Sequence, residues 1–198
     1  MTLDFHDKDR YVLVARVPRE IEVHLEDLFL TLPGVTRPSM GYHITLLGPF
    51  SWLREVDAET FEPIAALCRT WQPFTVTLGP LGAFLAADRN ILYISASAKG
   101  QLKQLHQKLL EVLEGQITSS VPMGNAYAPH ISLALDLTDE ELQMLLRSLP
   151  KEHLERTFQI NLIWLARQSP SGPWEYIWHH ELGKTASPEH TTNEQEES

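Results

Sequence analysis

The sequence predicts an α+β fold made of two similar halves. Segments with strand and helix patterns alternate along the chain, and the order strand, helix, strand, helix, strand occurs twice. The second strand of each half carries the same four-residue motif, first as His43-Ile44-Thr45-Leu46 and later as His130-Ile131-Ser132-Leu133. Because the motif recurs in matching elements, we expect an internal duplication in which a pseudo-two-fold axis relates the two histidine strands.

The first half contains three predicted strands and two predicted helices. The strands are β-branched or alternating segments at residues 11–17, 42–47 and 74–78. Pro18 ends the first strand, and Gly79-Pro80 ends the third. The first helix has apolar residues at helical spacing, Ile21, Leu25, Leu28 and Leu32. The second helix lies between residues 53 and 71, with Asp57 as its expected N-cap.

The second half repeats this order. Its strands are predicted at residues 91–95, 130–135 and 158–162, and a last strand follows at 174–182. A leucine-rich helix is expected at 101–113, and Thr138 with Glu141 forms a capping box that opens the next helix. A Phe-x-(Val/Ile)-x-Leu segment follows each histidine motif, about 31 residues after His43 and 28 after His130. We interpret it as a third landmark of the duplication.

Length and composition favour one soluble domain. With 198 residues and 43% hydrophobic content, the chain can bury one sizeable core, expected at residues 1–183. Residues 184–198 are acidic and almost free of apolar residues, which predicts a disordered tail. The net charge of −10 argues against a protein that grips long duplex nucleic acid. Because neither a membrane segment nor a secretory signal is recognisable, we expect a cytoplasmic protein, and we expect a monomer.

Each histidine motif combines an imidazole with a hydroxyl. Side chains at positions i and i+2 of a strand share one face, so His43 lies beside Thr45, and His130 beside Ser132. Two histidines at one phosphorus suit phosphodiester cleavage, since the neutral ring takes a proton from the attacking oxygen and the protonated ring gives one to the leaving oxygen. The hydroxyls would donate hydrogen bonds to the nonbridging oxygens. This chemistry needs no metal.

The two motifs resemble the paired His-x-Thr/Ser-x motifs of the 2H phosphoesterase superfamily, in particular its bacterial 2′-5′ RNA ligase, or RNA 2′,3′-cyclic phosphodiesterase, branch. The segment Tyr127-Ala128-Pro129-His130 is similar to the aromatic-x-Pro-His lead-in to that family's second motif. The resemblance covers residues 11 to 182. It implies a bilobal fold with two antiparallel-rich β-sheets around a central cleft and helices on the outside. It also implies cleavage of cyclic or 2′-5′ phosphodiesters without a cofactor.

The expected substrate is a small 2′,3′-cyclic nucleotide or the cyclic phosphate of an RNA terminus. Candidate side chains for contact with a base are aromatic: Tyr42, Phe50, Tyr127 and Tyr176. Tyr127 is the preferred candidate because it lies beside His130. Arg89 and Arg167 either contact phosphate or are solvated turn charges. The nine histidines and the lone Cys68, which is expected in the core, lack the spacing of a metal site.

Three questions stay open at the level of sequence. Either His43 or His130 can be the acid. His179 and His180 lie in the last strand, where adjacent side chains point to opposite faces, so at most one of them faces a cleft on a given side. A noncatalytic nucleotide-binding module and a 2′-5′ RNA ligase are alternatives to a hydrolase, although the high concentration of water favours hydrolysis.

Overall fold

The computed structural model describes residues 8–30, 35–57, 59–85, 89–119, 127–149 and 154–184. Within these ranges the chain forms nine strands and four helices. The strands are β1 Arg10–Arg16, β2 His43–Trp52, β3 Phe74–Phe84, β4 Asn90–Ser97, β5 Ile117–Thr118, β6 His130–Leu137, β7 Thr157–Ile160, β8 Leu162–Gln168 and β9 Trp174–Glu181. The helices are α1 Arg19–Leu30, α2 Glu62–Thr70, α3 Gln101–Val112 and α4 Asp139–Ser148. Residues 185–198 of the tail predicted at 184–198 and the predicted helical residue Leu32 lie outside the described residues.

The strands form two antiparallel sheets, as the bilobal α+β prediction requires. The first sheet has the order β5-β2-β1-β8-β9, and the second has the order β6-β4-β3-β7. The run β2-β1-β8-β9 in the first lobe corresponds to β6-β4-β3-β7 in the second. The two histidine strands, β2 and β6, therefore occupy equivalent places in the two lobes, and the predicted duplication of the lobes is confirmed.

The two lobes share one hydrophobic core. The main buried cluster contains Leu13 and Ile44 from the first sheet, Ile94 and Ile131 from the second, and Leu105 from α3, and each of these side chains is fully buried. Burial of apolar surface is the main favourable term in folding. Because one continuous cluster serves both sheets, neither lobe can lose its packing without exposing part of the other.

Several predicted ends of elements are wrong. Asp57 was predicted as the N-cap of α2, but that helix begins at Glu62 after Phe61, which makes no capping bond with its side chain. The Asp57 carboxylate instead accepts hydrogen bonds from the backbone N–H groups of Glu59 and Thr60, at 3.0 and 2.9 Å. Asp57 thus caps a tight turn before the helix, which is the other conformation that an aspartate side chain favours.

The Phe-x-(Val/Ile)-x-Leu segments are not symmetry mates. Residues 74–78 lie in β3 and residues 158–160 in β7, and these strands pair with each other, with Val76 opposite Phe158. The strand predicted at 158–162 breaks at Asn161, where the chain passes from the second sheet into β8 of the first. Strand order makes β8, rather than β7, the counterpart of β3. The similarity of the two segments is therefore one between neighbouring strands of a single sheet. Its interpretation as a third landmark of the duplication is wrong.

Two strands run further than predicted. β2 continues from the histidine motif through Trp52, and β3 passes Gly79-Pro80, where a stop was expected, to reach Phe84. A register irregularity between Leu78 and Leu81 accommodates the proline in β3. The predicted core position of Cys68 is confirmed, since the residue is fully buried. The predicted capping box at Thr138 is also present at the start of α4.

Candidate active site

The two motif histidines lie on strands that touch across the lobes, since β2 contacts β6 directly. Both imidazoles are half-buried, whereas the next residues, Ile44 and Ile131, are fully buried. The strands therefore alternate as predicted, with the histidine face turned away from the core. Burial is the largest effect that lowers the pKa of His43, and the charge of a protonated His130 lowers it further.

Matching backbone bonds orient the two imidazoles. His43 Nδ1 lies 2.9 Å from the carbonyl oxygen of Gly41, and His130 Nδ1 lies 2.7 Å from that of Ala128. A carbonyl oxygen can only accept, so each Nδ1 must carry the hydrogen and donate it. Each Nε2 is thereby left to exchange a proton with a ligand. The same device, a carbonyl two residues before the histidine, is used in both lobes.

Burial lowers the pKa of both histidines below the usual value. For His43 the loss of hydration has the largest effect, the bond to Gly41 opposes it, and the charges of His130 and Arg16 lower the pKa further. For His130 burial again lowers the pKa, and the bond to Ala128 opposes it. Both rings therefore favour the neutral form when the site holds no anion.

The two hydroxyls of the motifs lie on the histidine face. Thr45 is half-buried and sits opposite Val14 of β1, and Ser132 is half-buried opposite Tyr93 of β4. Within the described part of the chain, no hydrogen bond occupies either side-chain hydroxyl. Both are therefore available to donate to an oxygen of a bound ligand.

Tyr127 connects the second motif to the first. Its hydroxyl donates to the Thr45 carbonyl oxygen at 2.9 Å, and its ring stacks on His106 of α3 with centroids 4.1 Å apart. His106 Nδ1 in turn lies 2.8 Å from the carbonyl oxygen of Leu46. Burial raises the pKa of Tyr127, so the hydroxyl stays protonated. Tyr127 was predicted as a residue that contacts a base, but these contacts make it a brace between the lobes.

Two of the other predicted aromatic contacts are core residues. Tyr42 is 4% exposed and Phe50 is 2% exposed. Phe50 stacks on Tyr11 with centroids 6.0 Å apart and meets Trp52 edge-on at 5.5 Å. These rings have no free face for a base, so their prediction as substrate contacts is wrong. Period-two alternation fails here because β2 is buried on both sides near its end.

Tyr176 belongs to an accessible group of rings on the first sheet. It is half-buried, meets Trp164 edge-on at 5.6 Å, and donates its hydroxyl to the Met40 carbonyl oxygen at 3.0 Å. The guanidinium carbon of Arg16 lies 4.8 Å from the Tyr176 ring centre. His179 packs on the Trp164 ring at 4.6 Å. Of the two histidines of β9, His179 thus lies on the face of the sheet that carries Trp164. His180 Nδ1 lies 2.7 Å from the carbonyl oxygen of Glu181.

The second lobe places aromatic rings around His130. Phe84 meets the imidazole edge-on with centroids 4.7 Å apart, and Tyr93 lies 5.2 Å away. Phe84 and Tyr93 are themselves 4.5 Å apart. Gly82 allows this arrangement, because a Cβ atom there would come within 2.5 Å of the Tyr93 ring. The Phe84 side chain remains 38% exposed beside the imidazole.

Arg89 and Arg167 are engaged in ion pairs at the surface. Arg89 pairs with Asp136 at 3.1 Å, and Arg167 pairs with Glu175 at 3.2 Å. They fit the alternative of solvated turn charges better than that of phosphate contacts.

Among the described residues, no three His, Cys, Asp or Glu side chains form a group that could hold a metal ion. None of the described helices has the length and apolar character of a membrane span.

Sequence reasoning missed several residues around the histidines: Arg16, Phe84, Tyr93, His106 and Trp164. Arg16 and Tyr93 are found only once the pairing of β1 with β2 and of β4 with β6 is known. Phe84 was missed because β3 was ended at Gly79-Pro80. The stack of His106 on Tyr127 depends on how α3 packs on β2, which leaves no local signal in the sequence.

Comparison with known proteins gives one family. The model of the 2′-5′ RNA ligase superfamily matches residues 18–171. A protein of Bacillus licheniformis, named as a candidate phosphoesterase, is 26% identical over 133 residues, which make up 67% of this chain and 75% of that protein. A protein of Oceanobacillus iheyensis with the same kind of name is 25% identical over 142 residues, covering 72% of this chain and 80% of that protein.

Solved structures share the fold. Escherichia coli LigT in complex with 3′-AMP superimposes with a TM-score of 0.65 at 18% identity, covering 89% of this chain and 99% of LigT. A protein of Thermus thermophilus gives a TM-score of 0.62 at 19% identity, covering 88% of this chain and 98% of that protein. At these identities the likeness shows the two-lobed fold alone.

Proposed function

Because the chain belongs to the 2′-5′ RNA ligase superfamily of 2H phosphoesterases, we propose that it hydrolyses 2′,3′-cyclic phosphates of nucleotides or RNA ends. His43 and His130 are the acid/base pair of this proposal, and Thr45 and Ser132 bind the phosphate. The observation that carries it is the matched orientation of the imidazoles. Each Nδ1–H is held by a backbone carbonyl, which leaves each Nε2 as the ring nitrogen that can exchange a proton with a ligand.

The reaction follows from that geometry. One neutral imidazole takes a proton from water as the water oxygen attacks phosphorus. The other imidazole, in its protonated form, gives its proton to the ribose oxygen whose bond to phosphorus breaks. Negative charge builds up on the nonbridging phosphate oxygens in the transition state, and these oxygens accept hydrogen bonds from the Thr45 and Ser132 hydroxyls. The pseudo-symmetry lets the two imidazoles exchange roles, which decides between a 2′-phosphate and a 3′-phosphate product.

Small nucleotides are the ligands that fit this proposal. LigT has been solved with 3′-AMP and with NADP⁺, which supports a nucleotide phosphate as the group bound between the lobes. The net charge of −10 disfavours long duplexes. The same site chemistry serves a 2′-5′ phosphodiester, and run in reverse it would ligate RNA ends.

The test is incubation of the purified protein with a panel of 2′,3′-cyclic mononucleotides and short RNAs ending in a cyclic phosphate, with EDTA present. Wild type should turn over at least one substrate, and His43→Ala and His130→Ala should lose nearly all turnover while keeping the far-UV CD spectrum. Turnover retained in both variants contradicts the mechanism. Binding without product over long incubation would instead indicate a noncatalytic nucleotide-binding module.

A further inference from the structure

An arginine that the proposed mechanism does not use lies beside His43. Arg16 ends β1 and is the direct cross-strand partner of His43 in the antiparallel pair with β2. Directly opposed residues in such a pair have Cβ atoms about 5 Å apart on the same face of the sheet. Arg16 is exposed, and its charge is close enough to lower the pKa of His43.

Two rings hold the guanidinium of Arg16. Its central carbon lies 4.8 Å from the Tyr176 ring centre and 5.4 Å from that of Trp164. Tyr176 is itself fixed by the hydrogen bond that its hydroxyl donates to the Met40 carbonyl oxygen. A guanidinium stacked on aromatic faces keeps its N–H edges free for an acceptor. The arrangement is that of an anion site oriented before the anion arrives.

Arg16 forms no salt bridge with a carboxylate of the described residues. Other arginines of the chain form ion pairs, for example Arg19 with Glu22 and Arg167 with Glu175. Among the residues that the structure describes, Arg16 takes part in no ion pair. In a chain with a net charge of −10, this leaves a local positive charge next to the histidine.

The guanidinium leans away from the phosphate that the histidines would cleave. Trp164 and Tyr176 belong to β8 and β9, which lie on the side of β1 opposite to β2 and His43. Neighbouring strands of a sheet lie about 4.8 Å apart, so β8 is about that far beyond β1 as seen from β2. The position equivalent to Arg16 in the second lobe is Ser95, the cross-strand partner of His130. The positive charge is therefore present on one side of the pseudo-two-fold axis only.

From this geometry we infer that Arg16 binds a second phosphate of the substrate, one that is not cleaved. The substrate class is then an oligonucleotide end, whose next phosphodiester reaches Arg16, rather than a cyclic mononucleotide. The one-sided charge also fixes which way round the substrate lies between the two histidines. The identity of the cleaved phosphate rests on the proposed function, whereas the binding of a second phosphate is testable without turnover.

The experiment compares two substrates and two arginine variants. The substrates are adenosine 2′,3′-cyclic phosphate and the dinucleotide ApA with a terminal 2′,3′-cyclic phosphate, which adds one phosphodiester. The matched control for Arg16→Gln is Arg10→Gln, because Arg10 lies on the same face at the other end of β1 and stacks on Trp174 at 5.9 Å. Loss of a charge-assisted hydrogen bond should lower kcat/KM about 10- to 100-fold.

We expect Arg16→Gln to lower the ratio of kcat/KM on the dinucleotide to kcat/KM on the mononucleotide by that factor, because an effect on His43 alone changes both substrates equally. Arg10→Gln should leave the ratio unchanged. Equal losses on both substrates would place Arg16 at the cleaved phosphate and overturn the inference, as would no loss on the dinucleotide. If wild type cleaves neither these two substrates nor any other cyclic phosphate of the panel, the proposed function fails. The inference is then decided by titration with two ligands that are not cleaved, ApA and adenosine. Wild type should bind ApA more tightly than adenosine, and Arg16→Gln should remove that preference. An unchanged preference in Arg16→Gln would overturn the inference.

Discussion

At the scale of single residues, the hydroxyls of the two motifs are the simplest groups to test. Thr45 and Ser132 have no competing hydrogen bond in the described part of the chain, so a nonbridging phosphate oxygen is their natural partner. Removing one such donor from a transition state typically lowers kcat about 100- to 1,000-fold. We expect Thr45→Val and Ser132→Ala each to lower kcat within that range. Thr45→Ser, which keeps a hydroxyl, is the control, and a kcat unchanged in both variants would remove the hydroxyls from the mechanism.

The pKa shifts of the histidines predict the pH dependence. Burial lowers the pKa of both His43 and His130 below about 6.5. A base with a lowered pKa stays neutral to lower pH, and an acid with a lowered pKa loses its proton at lower pH. Both limbs of the kcat/KM profile therefore move toward acid, and we expect the maximum below pH 6.5. A maximum above pH 7.5 for the free enzyme would contradict these shifts.

The catalytic candidates were within reach of the sequence, but their surroundings were not. The repeated histidine motif and strand alternation identified four residues and the face they share. The aromatic candidates Tyr42 and Phe50 proved to be core, because aromatic residues suit both a core and a stacking surface. Arg16 carries no local signal, since only its cross-strand pairing brings it beside His43.

At the scale of elements, the brace formed by Tyr127 couples the segment before β6 to β2. The Tyr127 hydroxyl holds the Thr45 backbone, and the neighbouring carbonyl of Ala128 holds His130. Tyr127→Phe should therefore displace one motif relative to the other. We expect kcat to fall about 5- to 30-fold, as for the loss of one buried hydrogen bond, with KM nearly unchanged.

Tyr11→Phe is the matched control for this brace. Its hydroxyl lies near Asp9, which precedes β1, away from the histidines. The control should leave kcat and KM at wild-type values. A Tyr127→Phe variant that raises KM without changing kcat would show instead that Tyr127 contacts the substrate.

The capping box of α4 predicts a change in stability without a change in activity. The Thr138 hydroxyl accepts from the Glu141 backbone N–H, and the Glu141 carboxylate accepts from the Thr138 backbone N–H. Thr138→Ala should lower the free energy of unfolding by about 1 kcal/mol. Denaturant unfolding measures this, with Thr138→Ser as the variant that keeps the cap. A loss as large in the serine variant would mean that the cap is not the cause.

Element types were predictable because local patterns determine them, whereas element ends depend on tertiary contacts. The leucine spacing of α3 and the capping box of α4 gave correct helices. The end of β3 was misplaced because its bulge lets Pro80 remain in the strand. The break at Asn161 was missed because the segments on either side of it both have strand character, and only the change of sheet separates them.

At the scale of the whole molecule, the shared core predicts cooperative unfolding of the two lobes. All five tryptophans lie in or near the first lobe, at residues 52, 71, 164, 174 and 178, so their fluorescence reports mainly on that lobe. Far-UV CD reports on both lobes. Because one buried cluster joins both sheets, we expect the two signals to give the same denaturant midpoint. Separate midpoints would mean that the lobes are independent domains.

If both histidines act on one phosphate, their effects on the rate are coupled, and a double-mutant cycle measures that coupling. Groups that act together in one transition state are strongly non-additive, since removing either already disables the step. The cycle compares single-turnover rates of wild type, His43→Ala, His130→Ala and the double variant. The substrate is the cyclic phosphate that wild type cleaves fastest. Each single variant should lose about 100-fold or more, and the double variant should be nearly the same as the slower single variant. A double variant whose loss equals the product of the two single losses, or a single variant with near wild-type rate, would contradict the account.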